Sequence, residues 1–159
     1  MLRAYEKDWN RGLDILWLSN ILYDYTAGYP FLISRLCQIM EQNSPEGWSK
    51  EEFQYAVREL LKTPNTLFDD LSKKLSEYPE LKEMIYHILF HGRKFAYEAE
   101  NHRIQIGKMF GFLKEEKGIV SISNRIFEMK LYNLLISENE TDSKMFTAAE
   151  MESFKALSK

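Results

Sequence analysis

Apolar residues recur at three- and four-residue intervals along almost the whole chain, and this period restricts it to a mainly α fold. Glycine and proline cut the pattern into short lengths, so the helices must pack side by side rather than run on as one long coil. Ile15, Leu16, Leu18, Ile21, Leu22 and Tyr25 share one side of a first helix that Gly28 is placed to stop. Pro30 opens the next, which carries Phe31, Leu32, Leu36, Cys37 and Met40 on several sides and is therefore expected to be buried. Ser49 and Glu52 form a capping-box pattern ahead of Phe53, Val57, Leu60 and Leu61. After the Thr63-Pro64-Asn65 break, Leu67, Phe68, Leu71 and Leu75 mark a fourth helix. Pro79 starts a fifth, with Leu81, Met84, Ile85, Ile88 and Leu89, closed by His91-Gly92.

The period changes after Lys94. Phe95-Ala96-Tyr97 reads as a short strand and Ile104 to Phe110 as a short helix. Phe112-Leu113-Lys114 and Ile119-Val120-Ser121-Ile122 then flank the polar turn Glu115-Glu116-Lys117-Gly118, a β-hairpin. Asn124 is placed to cap a last helix with Phe127, Leu131, Leu134 and Leu135 on one face. Beyond Glu138 the chain turns polar, with a weak helical pattern from Thr147 to Leu157. The expected organisation is a helical bundle over residues 1–64, a winged-helix-like module with a short β-hairpin over 65–137, and a loosely ordered polar tail over 138–159. The spacing between Tyr97 and Phe110 leaves the module one helix short of the usual three-helix version.

Composition narrows the class of function. With 45% hydrophobic residues over 159, the chain has material for one good-sized core or two small ones. A net charge of -3 excludes a basic field over the whole surface, leaving only local patches for nucleic acid. The single cysteine, Cys37, offers no disulfide framework, and neither a signal peptide nor a membrane span is legible, so a cytoplasmic setting is expected.

The stretch Thr26-Ala27-Gly28-Tyr29-Pro30-Phe31-Leu32 resembles the T-x-G-Y-P-F-L segment of the lid region of bacterial AAA-like ATPases. Asn65-Thr66-Leu67-Phe68-Asp69-Asp70-Leu71, Met109-Phe110-Gly111-Phe112 and Ile122-Ser123-Asn124-Arg125-Ile126-Phe127-Glu128 resemble later landmarks of the same family, so the likeness covers most of residues 1–137. It implies that Gly28, Tyr29 and Pro30 open a lid helix with Pro30 near the adenine of ATP, and that Arg35, a turn further on, reaches a phosphate or an acid of the nucleotide-binding domain. A proline ring is a flat apolar surface, and the helix it opens points unpaired N–H groups back towards such a site.

The sequence departs from the family in lacking the G-x-x-x-x-G-K-[ST] loop, so it has nothing to grip a triphosphate. Asp69-Asp70 sits in a helical pattern behind Pro64-Asn65, which argues against a magnesium-holding strand end. The chain is therefore expected to bind no cofactor and hydrolyse nothing by itself. ATP and Mg²⁺ belong to the complete family member, and the principal partner is the missing P-loop domain. Without that domain Trp17, Tyr29 and Phe31 are expected to form an exposed apolar patch.

Other groups of residues carry less. His87 and His91 stand one turn apart but lack a third ligand, and a helix-end role is the ordinary one. Cys37 lies in an apolar run and reads as a core thiol rather than a nucleophile. Neighbouring carboxylates such as Glu51-Glu52 and Glu115-Glu116 read as solvated charge. Arg103, Lys108, Lys114, Lys117, Arg125 and Lys130 surround the expected wing and define the alternative function, a free-standing adaptor for DNA or protein. Glu115, Glu116 and Glu128 dilute that patch, which makes protein docking the preferred role of the wing.

Overall fold

A computed structural model describes residues 15–43 and 48–141. Among the described residues are seven helices and one two-stranded antiparallel sheet, a mainly α architecture with a short hairpin. The helices are α1 (Ile15–Thr26), α2 (Pro30–Asn43), α3 (Lys50–Lys62), α4 (Thr66–Glu77), α5 (Pro79–His91), α6 (His102–Met109) and α7 (Arg125–Thr141). Strands β1 (Leu113–Glu116) and β2 (Ile119–Ile122) lie between α6 and α7. The chain divides into two compact units. One runs to Pro64 and takes in Asn124–Ile126; the other comprises Asn65–Ser123 and the chain from Phe127.

In the first unit α1, α2 and α3 bury Leu18, Leu22, Leu32, Leu36, Met40, Phe53, Val57 and Leu60 against one another. Tyr25 sets its ring edge-on to Phe53 at 5.0 Å, and its hydroxyl accepts a 3.4 Å bond from Gln54 Nε2. The α3 start follows from its sequence: the Ser49 N–H donates to the Glu52 carboxylate at 3.0 Å, the backbone half of a capping box. The Ser49 hydroxyl donates to Glu51 at 2.9 Å.

In the second unit α4 is capped by Asn65, whose side chain accepts from the Phe68 N–H at 2.9 Å. A single residue, Tyr78, ends α4 and begins α5. At the other end of α5 Gly92 takes the left-handed conformation, with φ 60°, that a side chain would oppose. Phe68, Leu71, Leu81, Met84, Ile85, Ile104, Phe112, Phe127 and Leu131 form the core.

Three details differ from the sequence-based expectation. The hairpin turn has two residues, Lys117 and Gly118, both at positive φ (53° and 76°), because that type of turn matches the twist of paired strands better than the four-residue turn the polar run suggests. Phe95-Ala96-Tyr97 makes only one bridge, Ala96 to Ile119, with Val120 N–H donating to Phe95 O and Tyr97 N–H to Gly118 O at 2.9 Å each. Finally, α7 continues to Thr141 instead of ending near 137, and Glu138 within that extension pairs with Lys82 of α5. The helical pattern from Thr147 to Leu157 lies outside the described residues.

Helix α6 rests on Gly107, where a Cβ would collide with Leu113 Cδ1 and stand 2.6 Å from its Cγ and 3.1 Å from Leu81 Cδ1. Leu113 is itself buried and cannot yield. Gly107→Ala should therefore lower stability by about 1–3 kcal/mol in a denaturant titration, although alanine favours helices. Lys117→Asn should raise it by about 0.5 kcal/mol, since asparagine tolerates the left-handed backbone that lysine occupies there.

Candidate functional site

The joint between α1 and α2 is built by Thr26. Its buried hydroxyl donates to Leu22 O at 2.7 Å and accepts from the Gly28 N–H at 3.2 Å, while its carbonyl accepts from the Tyr29 N–H at 3.0 Å. Ala27 and Gly28 both have positive φ, 52° and 81°, which reverses the chain within three residues and delivers Pro30 to the first position of α2. Gly28, Tyr29 and Pro30 are all solvent-exposed. The guanidinium of Arg35 donates to Gln38 at 2.7 Å on the surface of α2.

Large apolar groups surround this elbow. Tyr29 is 37% exposed, Phe31 38% and Tyr23 67%, and the Tyr23 ring approaches Gly28 closely enough to be 3.6 Å from a Cβ there. Leu16, exposed to 73%, lies two helical turns before Tyr23 on the same side of α1. Trp17 is half-buried, and Tyr25 packs inside. Leu16, expected from its spacing to share the apolar side of α1 with Leu18 and Leu22, faces solvent instead, because its phase on the helix falls with Tyr23 rather than with the buried residues.

The basic residues around the hairpin fall into separate groups. Arg125 belongs to the first unit, where its guanidinium stands 4.6 Å from the Tyr25 ring and 3.9 Å from the Asp24 carboxylate. The Lys130 ammonium lies 5.1 Å from the Phe68 ring in the second unit. Arg103 and Lys108 stand on two aromatic side chains of the bridging segment, Phe95 at 5.7 Å and Tyr97 at 5.5 Å. Arg93 adds a second guanidinium at 4.7 Å from the same Phe95 ring. Contacts of this kind hold a cation flat while leaving its outer donors free. The hydrogen bond of Lys108 to the Tyr97 side chain, helped by attraction to Tyr97 and Glu115, raises its pKa above the ordinary lysine value.

Beside these contacts is an open groove of about 440 Å³ between the end of α5 and the hairpin, lined by Ile88, Leu89, Ile119 and Ile122 with Arg93, Lys94, Lys117, Glu116 and Glu128 among its polar groups. Arg93 and Phe95 were missed by the sequence reading of the wing. The alternation Arg93-Lys94-Phe95-Ala96-Tyr97 was the available signal, since a strand brings its first, third and fifth residues to one face.

His87 and His91 share a 2.9 Å hydrogen bond between their Nδ1 atoms, and Glu83 lies 3.7 Å from His87. Among the described residues no three metal-ligating side chains converge. Cys37 is fully buried in α2, and burial pushes its thiol up to about 11. No described helix is long and apolar enough to cross a membrane.

Removing the Thr26 hydroxyl by Thr26→Val keeps the shape but loses its bonds to Leu22 O and the Gly28 N–H, and should cost about 1 kcal/mol by thermal or denaturant unfolding. Cys37 sets a pH signature of opposite origin to acid unfolding. The folded chain holds the thiol proton to about pH 11, whereas a thiol in the unfolded chain releases it near 9.0. The contribution is intact below the lower value and lost as pH rises through the higher one. Stability should therefore fall over that interval more steeply than in Cys37→Ala, and a thiol reagent at neutral pH should modify native Cys37 only as fast as the protein unfolds.

No protein-family model, curated protein or solved structure matches this chain.

Proposed function

We propose that this chain is a non-catalytic lid and regulatory region of an AAA-like ATPase, contributing to ATP-dependent switching only together with a P-loop nucleotide-binding domain. One observation supports the reading above the others: the Thr26–Pro30 elbow is rigidly hydrogen-bonded yet presents Tyr23, Tyr29 and Phe31 to solvent. A loop needed only to reverse the chain has no use for three exposed aromatic rings. A surface that closes over another domain has, because desolvating such rings supplies most of the energy of docking.

On this reading Pro30 lies against the base of ATP and Tyr29 and Phe31 against the protein around it. Arg35, half-exposed and hydrogen-bonded to its neighbour Gln38, can exchange that partner for a phosphate or an acid. ATP favours the closed lid by as much as it binds that state more tightly, and hydrolysis removes the difference. The second unit then carries the change to a partner.

The test is a two-component titration. The isolated chain should not bind labelled ATP, and a P-loop domain of this family should bind it more tightly when the chain is added. Pro30→Ala should weaken that affinity by about tenfold, and the Tyr29→Ser/Phe31→Ser pair should abolish the gain without altering the melting of the isolated chain. Nucleotide affinity indifferent to both changes would refute the lid reading.

A further inference from the structure

We propose that the second unit also binds the phosphodiester backbone of nucleic acid, along a cationic strip that runs from Arg93, Lys94 and Lys117 over Phe95 to Arg103, and on through Tyr97 to Lys108. The strip is assembled from shared neighbours. Arg93, Lys94 and Lys117 border one groove. Arg93 and Arg103 stand over the same Phe95 ring, at 4.7 and 5.7 Å. Tyr97 is hydrogen-bonded through its backbone to Gly118 beside Lys117, and its ring lies 5.5 Å from Lys108.

Among the described residues none of these five cations has a carboxylate within 4.0 Å, although Glu115 attracts Lys108 at longer range. Glu98, Glu100, Glu115 and Glu116 occupy the same stretch of chain, yet none forms an ion pair with Arg93, Lys94, Arg103, Lys108 or Lys117. Elsewhere in the described protein Lys62, Lys74, Lys82 and Arg125 each have an acid within 4.0 Å. In a chain whose net charge is -3, five cations gathered around the bridge and hairpin make a local positive field, tempered by Glu115, Glu116 and Glu128 at its edge. Two guanidinium groups held on one ring are oriented before a ligand arrives, with planar edges free for bidentate bonds to phosphate oxygens.

A phosphodiester backbone fits this arrangement better than an acidic peptide does. It repeats its charge at short regular intervals, and its oxygens accept the paired donors of arginine. The rings are already covered by cations, so contacts fall on phosphates rather than stacked bases and carry no sequence preference. The proposal stands independently of the lid reading, since all its residues belong to the second unit.

The experiment is fluorescence anisotropy of the intact chain with a fluorescein-labelled 20-base-pair duplex and the corresponding single strand, from 50 to 200 mM salt. Binding should weaken steeply with salt and should not depend on base sequence. Arg93→Gln/Arg103→Gln should lower affinity by about tenfold or more and make the log–log salt slope on duplex shallower by about 2. Lys94→Gln/Lys117→Asn, at two exposed positions where the fold is not at risk, should act in the same direction, and Lys62→Gln in the first unit should have no effect. The proposal is overturned if neither nucleic acid binds at 50 mM salt. It is equally overturned if both double variants bind like the unaltered chain, or if poly-glutamate competes as well as DNA.

Discussion

Helices of eight to seventeen residues are too short to persist alone in water, so everything here depends on how little chain separates one helix from the next. Short connections place neighbouring apolar faces together before much entropy has been lost, but they leave the helix ends with donors and acceptors to satisfy. At three of the junctions a specific residue meets that demand. Thr26 serves both sides of the α1–α2 joint through its hydroxyl and its carbonyl, Asn65 caps α4, and Asn101 accepts from the Arg103 and Ile104 N–H groups at the start of α6. Close approach is the matching requirement in the second unit, where Gly107 lets α6 lie directly on Leu113 and Leu81. The core and the exposed surfaces are both consequences of these joints.

The parts of this fold legible in the sequence are those decided locally. Pro30 and Pro79 each stand at the first position of a helix, Gly92 at an end, and Ser49-Glu52 at a cap, because each of these residue types has one strong backbone preference. The hairpin was legible too, but its turn length was not: four polar residues in a row contain no sign that strand pairing continues to Glu116 and leaves only Lys117-Gly118 to turn. Nor could composition show that α7 keeps going past residue 137, since its last turn is polar and gains a partner in Lys82, more than fifty positions earlier.

The surface was harder to read than the core, and for a related reason. A buried position is announced by repetition, whereas a functional surface depends on distant residues meeting. Six basic residues near the hairpin look alike in sequence, yet Arg125 stands over Tyr25 and Lys130 over Phe68, while Arg103, Lys108 and Lys117 gather around the segment that carries Arg93. Likewise Tyr25 and Tyr23 are two residues apart and have opposite fates, one inside the first unit and one on the elbow. A resemblance in linear motif directs attention to the elbow; which of its rings remain outside is decided by the phase of α1.

Tyr78 has a part in the second unit that goes beyond joining two helices. Its N–H donates to Lys74 O while its own carbonyl accepts from the Leu81 and Lys82 N–H groups, and its ring packs 5.7 Å from Phe110. One residue thus completes the end of α4 and the start of α5, leaving the corner no spare link. Chain length is consequently frozen at this point: an inserted residue would put one helix out of phase with its buried face, and a deletion would tear both ends open. The exposed stretch Glu98-Ala99-Glu100, ahead of the Asn101 cap, carries no such double duty, and there the chain can lengthen or shorten without dismantling the core.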